Sequence, residues 1–171
     1  MLMEVIGTQD LEKVSMLDMA ERGTSSESKI RLVSPAMLPF IWEEVLEVMR
    51  EHPRGLLDGW FTEQEVYQAL FTNRYDLWVA LSDLEESKIE AVALARLEPY
   101  TEFSIYRIMW CGGKVKKHLD DVMKQFNLYA TDVLKADKLA FDGRLGFIRT
   151  HSKYGFEVVR FEMWKSLGKV N

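Results

Sequence analysis

From Cys111 to His118 the chain reads Cys-Gly-Gly-Lys-Val-Lys-Lys-His, residue types suited to holding an anion. Gly112 and Gly113 allow a ligand close to the backbone, and Lys114, Lys116 and Lys117 bring positive charge to an acidic chain. A helix predicted from His118 adds unsatisfied N–H groups and the positive end of its dipole. The same residues also read as a Gly-Gly turn followed by a solvated basic stretch, and both readings stand at this level. Cys111 is the single cysteine. With no sequence sign of a paired histidine it reads as an inert strand-end thiol. One cysteine excludes an internal disulfide and a cysteine-built zinc site within one chain.

The elements that must position this loop follow from periodicity and turn chemistry. Ile30 to Val33 is a short strand, closed by Ser34-Pro35, a good N-cap and first helical residue. Phe40, Ile41, Val45, Leu46, Val48 and Met49 form one helical face. A loop holding Trp60 and Phe61 follows, and Thr62 to Glu65 spells a capping box for a second helix. Asp76–Ser82, Lys88–Glu98 and Phe103–Trp110 are three consecutive antiparallel strands. Simple alternation puts Ile89, Ala91, Ala93, Ala95 and Leu97 on one face of the second, and Val92 and Leu94 on the other. In the third strand it sets Tyr106, Ile108 and Trp110 together. His118 to Ala136 is the strongest helix, with apolar residues three and four apart. It leads to Leu139–Phe141, and a strand–helix–strand crossover makes those two strands parallel. Asp142-Gly143 then breaks the chain. A short helix carries Leu145, Phe147 and Ile148, Gly155 caps it, and Phe156 to Met163 reads as a last strand.

Bulk properties bound what the chain can do. Its 171 residues make one domain with modest room for an appendage, and 47% hydrophobic content is ample for a core. Residues 1–29 differ from the rest: a weak amphipathic pattern, then the polar Gly23 to Ser28. They read as an N-terminal arm and linker, with an apolar face for docking on a second copy or a protein partner. A net charge of −5 argues against general nucleic-acid binding. No apolar run is long enough to span a bilayer, no signal pattern opens the chain, and a reducing cytoplasm is the expected location.

The order β-α-α-β-β-β-α-β-α-β, closed by Gly-Phe, resembles the GNAT superfamily of N-acetyltransferases over about Lys29 to Leu167. The common closing form is Asn, Ala three residues on, Tyr seven on and Gly-Phe eleven on. Here Gly155-Phe156 match, while Arg144 stands at the Asn, Phe147 at the Ala and His151 at the Tyr. The variant is similar to divergent acetyltransferase-like proteins encoded by tailed phages. The resemblance implies an α+β fold with a central mixed, mostly antiparallel sheet flanked by helices, in a domain over residues 30–171.

The resemblance also implies acetyl-CoA as cosubstrate and an amine of a small molecule or protein as acceptor. Family members hold the cofactor where the third long strand splays from its parallel neighbour. Trp110, Cys111, Gly112, Gly113, Lys114, Val115, Lys116 and Lys117 are therefore the expected contacts, joined by Asp142, Arg144 and Phe147. The usual glycine signature of that loop is not present. His151 is the candidate acid for the departing thiolate, Tyr154 its substitute, and a surface histidine the competing reading. Glu102 is the candidate base, with Glu98 and Asp142 as alternatives. Trp60 and Phe61 flank the expected acceptor cleft. The alternative is a GNAT-fold protein without chemistry, acting by binding in virion assembly or host takeover.

Overall fold

The structure is a computed structural model that describes residues 29–54, 56–82, 88–142 and 151–158. The arm before Lys29, Arg144, Phe147 and most of the expected closing helix and last strand lie outside the described residues.

Five strands, β1 (Ile30–Val33), β2 (Asp76–Leu81), β3 (Ile89–Pro99), β4 (Ser104–Gly113) and β5 (Lys138–Phe141), form one sheet in sequential order. The first three pairings are antiparallel, and β4 and β5 are parallel, as the crossover requires. Helices α1 (Leu38–Glu51) and α2 (Glu63–Phe71) belong to the first half of the chain. Helix α3 (Val115–Leu128) makes the crossover and ends in a π-helical turn, Tyr129–Val133. The mixed sheet with flanking helices matches the expected fold class.

Two cores sandwich the sheet. On one face Ile41, Val45 and Met49 of α1 and Val66 and Leu70 of α2 meet Val79, Val92 and Leu94. Each such side chain, fully buried, contributes about 1.5–3 kcal/mol. Helix α1 turns its 3.6-residue stripe inward, but Phe40 is 62% exposed, one position off that stripe. The capping box at Thr62 forms as read. Thr62 Oγ1 accepts from the Glu65 N–H at 3.2 Å, and the Glu65 carboxylate accepts the Thr62 N–H at 2.7 Å. On the other face the small residues Ala91, Ala93 and Ala95 make room for Trp78, Tyr106 and Phe126. The Trp78 and Phe126 rings meet edge to face, 4.9 Å between centroids. Trp78 Nε1–H donates to the Tyr106 oxygen and Tyr106 donates to Asp76, so every polar atom of this aromatic chain has a partner. Burial pushes the Tyr106 hydroxyl and the Asp76 carboxyl above their ordinary values.

Two β-bulges alter the faces expected from simple alternation. Ala80 pairs with Ala91 but Leu81 pairs with Ile89, leaving Glu90 as an extra residue in β3. Leu94 pairs with Trp110 but Ala95 pairs with Ile108, leaving Met109 extra in β4. An inserted residue slips the period by one, so side chains beyond it change face. Ile89 therefore joins Val92 and Leu94 instead of Ala91, and Trp110 leaves Tyr106 and Ile108 for the α1 side. Helix α3 also begins three residues earlier than expected, at Val115, with Lys114 as its N-cap.

Candidate functional site at the strand splay

The β4–β5 ladder runs from Ile105↔Lys138 to Ile108↔Phe141. The Asp142 N–H donates to the Ile108 carbonyl at 2.9 Å and closes it. Beyond that point β4 runs on through Met109 to Gly113, whereas β5 ends at Phe141, so β4 has no β5 partner there among the described residues; this end of the ladder is where the resemblance expects the splay. The Met109 bulge sits at the apex of the splay.

On the α3 side the splay borders an apolar cavity of about 30 Å³, room for a single water-sized sphere. Cys111, Val115, Leu119, Phe141 and His151 line it. The His151 ring is buried, stacks on Phe141 with centroids 4.4 Å apart and meets Phe156 edge-on. A candidate proton donor thus lies at the splay with Cys111. Burial pushes the Cys111 thiol up to about 11, leaving it an unreactive thiol as expected. Tyr154 lies on the flank of α3, where its hydroxyl donates to Asp120, and Lys153 Nζ reaches the same carboxylate at 3.2 Å. Gly155, at φ 83°, ends that turn as a C-cap.

On the α1 side, Arg107 in β4 joins three strands. Its Nε donates to Glu98 at 2.8 Å and its Nη1 donates to Asp142 at 2.8 Å. Burial opposes the Arg107 charge, but these two carboxylates outweigh it and hold the guanidinium above its ordinary value. Burial likewise works against the Glu98 charge, and bonds from Arg107 and Arg96 overcome it, keeping the carboxyl below its ordinary range. Asp142 is thus an oriented carboxylate at the apex, half open to solvent. Glu102 occupies the exposed turn before β4. It lies seven positions before Met109, roughly 23 Å away for an extended chain at ~3.3 Å per residue, so it is not brought to the splay.

The Trp60–Phe61 loop forms an open groove of about 700 Å³ with Arg50, Pro53, Thr62 and Glu63. Trp60 is exposed, while Phe61 turns edge-on to Tyr75. Arg50 grips Glu63 through two bonds of 2.7 and 2.8 Å, tying α1 to the start of α2. Trp110, flipped by the bulge, donates from Nε1 to the Arg54 carbonyl and brings this loop against β4.

The glycine–lysine loop has an internal occupant that the sequence did not announce. Glu90, aimed by its bulge at the start of α3, accepts from Lys114 Nζ at 3.0 Å and from Lys117 Nζ at 3.2 Å. Ser82 Oγ donates to it at 3.2 Å, and His118 Nε2 lies 3.3 Å away. The Glu90 side chain is only 6% exposed. Lys114 foremost, then His118, Lys117 and Ser82, outweigh the cost of burial and hold its carboxyl down at about 2. Both glycines also face the protein's own atoms. A Cβ on Gly113, whose φ is +83°, would collide with the Glu90 carbonyl oxygen and lie 2.9 Å from Ala91 Cα. One on Gly112 would lie 2.5 Å from the Trp110 ring. Alternation puts Glu90 on the face of Val92 and Leu94, and only the bulge, which leaves no sequence signal, turns it to α3.

The fold is that of the GNAT acetyltransferases. No family model matches the sequence, and no curated protein matches it either. Solved structures do match. Glucosamine-6-phosphate N-acetyltransferase from Arabidopsis thaliana superposes with a TM-score of 0.58 at 15% identity, covering 82% of this chain and 98% of that one. An aminoglycoside acetyltransferase from an uncultured soil metagenomic sample gives 0.60 at 12%, covering 82% and 96%. The ribosomal-protein-alanine N-acetyltransferase of Brucella melitensis biovar Abortus 2308 gives 0.57 at 10%, covering 81% and 97%. Similarity at these identities defines the fold alone. No helix among the described residues is long and apolar enough to cross a membrane.

Proposed function

We propose that the protein transfers an acetyl group from acetyl-CoA to an amine, using the β4–β5 splay as its donor cleft. The observation that carries this reading is the end of the β4–β5 ladder beside the Met109 bulge, with buried His151 on its α3 side and oriented Asp142 on its α1 side. A thioester arm entering there would run along the edge of β4 that has no β5 partner among the described residues and find backbone N–H and C=O groups. The N–H groups of Val115 and Lys116, in the first turn of α3, are the donors for an anion. Asp142 is the carboxylate that would draw a cationic amine to the apex and take its proton. The free amine would attack the thioester carbonyl as the C–S bond breaks, and His151 is the group that would give a proton to the departing thiolate. The groove at Trp60 is the acceptor side.

A second reading, binding without chemistry, is favoured by one observation: Glu90 already holds Lys114 and Lys117. Incubating the protein with acetyl-CoA and a panel of primary amines, and following release of free CoA thiol, tests the two readings. Amine-dependent thiol release that falls at least tenfold in His151→Phe is expected. No release with any amine, while acetyl-CoA still raises the melting temperature, would replace transfer by binding.

A further inference from the structure

We infer that Glu90 is an intramolecular anion that competes for the lysines of the donor loop, so a diphosphate binds there only by displacing it. The inference rests on the donor reading of the splay and concerns how that site is regulated. Three observations converge. The bulge in β3 leaves Glu90 without a partner residue in β2 and turns its side chain toward α3. Both carboxylate oxygens are taken, Oε1 by Lys114 and Ser82, Oε2 by Lys117 and His118. The Lys114 N–H is also spent on the Glu90 carbonyl, at 2.8 Å, so the N-cap of α3 is tied to the same residue.

Lys114 and Lys117 are the exposed members of the cluster and Glu90 is the buried one, with lysine side chains 67% and 43% exposed. The lysines can therefore swing outward to a ligand, whereas the carboxylate cannot follow them into solvent. A bound diphosphate would leave Glu90 with only Ser82 and His118, and it would face the repulsion of a buried negative charge close by. Apparent affinity is then lowered by the fraction of molecules in which the lysines are still held by Glu90. Neutralising Glu90 removes the competitor while keeping the lysines, the glycines and the start of α3.

The test titrates inorganic pyrophosphate, and separately acetyl-CoA, into wild type, Glu90→Gln and Asp121→Asn. Asp121 is an exposed acid on α3 and serves as a control of equal charge change. Glu90→Gln should bind pyrophosphate about tenfold more tightly than wild type, or better. Asp121→Asn should change affinity less than about twofold. The gain should vanish when Lys114→Met and Lys117→Met are added to Glu90→Gln. Melting curves check folding. Should Glu90→Gln unfold, Glu90→Asp keeps the charge but draws it one methylene back from the lysines, and should give a smaller gain in the same direction. Equal pyrophosphate affinity in wild type and the Glu90 variant, or an equal gain in Asp121→Asn, overturns the inference. Tighter pyrophosphate binding by Glu90→Gln with no acetyl-CoA binding by either form keeps the inference and sinks the donor reading. Equal acetyl-CoA binding by both forms keeps the donor reading and sinks the inference.

Discussion

The two ends of the candidate cleft are built on opposite plans. At the apex, the Arg107–Glu98–Asp142 network orients a carboxylate toward solvent, where β4 runs on past its last β5 partner among the described residues. At the glycine–lysine loop the proportions reverse, and two lysines close on one carboxylate whose oxygen pair is buried. A carboxylate at the surface organises a site, whereas one beneath the surface consumes the charges that would otherwise make it. A basic stretch in a sequence is thus no measure of available charge until its internal partners are known.

The largest effect expected from breaking this contrast is at Gly113. Gly113→Val places a side chain against β3 backbone and forces a branched residue to φ +83°. It should destabilise the fold by about 3 kcal/mol or more, read as a lowered denaturation midpoint. Were the glycine present only for ligand approach, stability would hold and binding alone would fall.

Next comes Arg107→Met, which leaves Glu98 and Asp142 without their shared partner. A loss of about 2 kcal/mol in urea unfolding is expected, because Glu98 stays largely buried. Under the proposed function, amine-dependent turnover should fall as well, since Asp142 loses its orientation.

Acid should separate the two ends further. The folded-state value of Glu90 lies near 2, below its ordinary 4.5, so its contribution is fully present above about pH 4.5. That contribution is lost as pH falls toward 2. Glu90→Gln should flatten the wild-type decline of melting temperature over that window. Parallel curves for the two proteins would show that the Glu90 contacts contribute no net stability.

The smallest effects belong to the exposed partners. Lys114→Met and Lys117→Met should each shift stability by about 1 kcal/mol or less, because the lysines are exposed and each change leaves Glu90 three other partners.

The sequence revealed the strands, the Thr62 capping box and the parallel crossover because each rests on local spacing or on a single connection rule. Face assignments failed at Ile89 and Trp110, because an inserted residue leaves no mark in an alternating pattern. Glu90 was missed for the same cause. The bulge takes it off the face where alternation put it, and its partners lie in a different element. His151 was legible as a histidine near the closing turn, but its stacking on Phe141 depends on tertiary packing. Glu102 looked plausible beside the third strand. Which end of a strand faces a cleft is fixed by the splay, and only the paired register locates that.

The central claim is that a thioester donor enters between β4 and β5. Hydrogen exchange on the full chain, with and without saturating acetyl-CoA, tests it most directly. Slower exchange confined to the backbone amides of Met109 to Lys117 and of Phe141 and Asp142, with β1 to β3 unchanged, is the predicted result. Unchanged exchange across Met109 to Lys117, in a protein that binds acetyl-CoA by calorimetry, would contradict it.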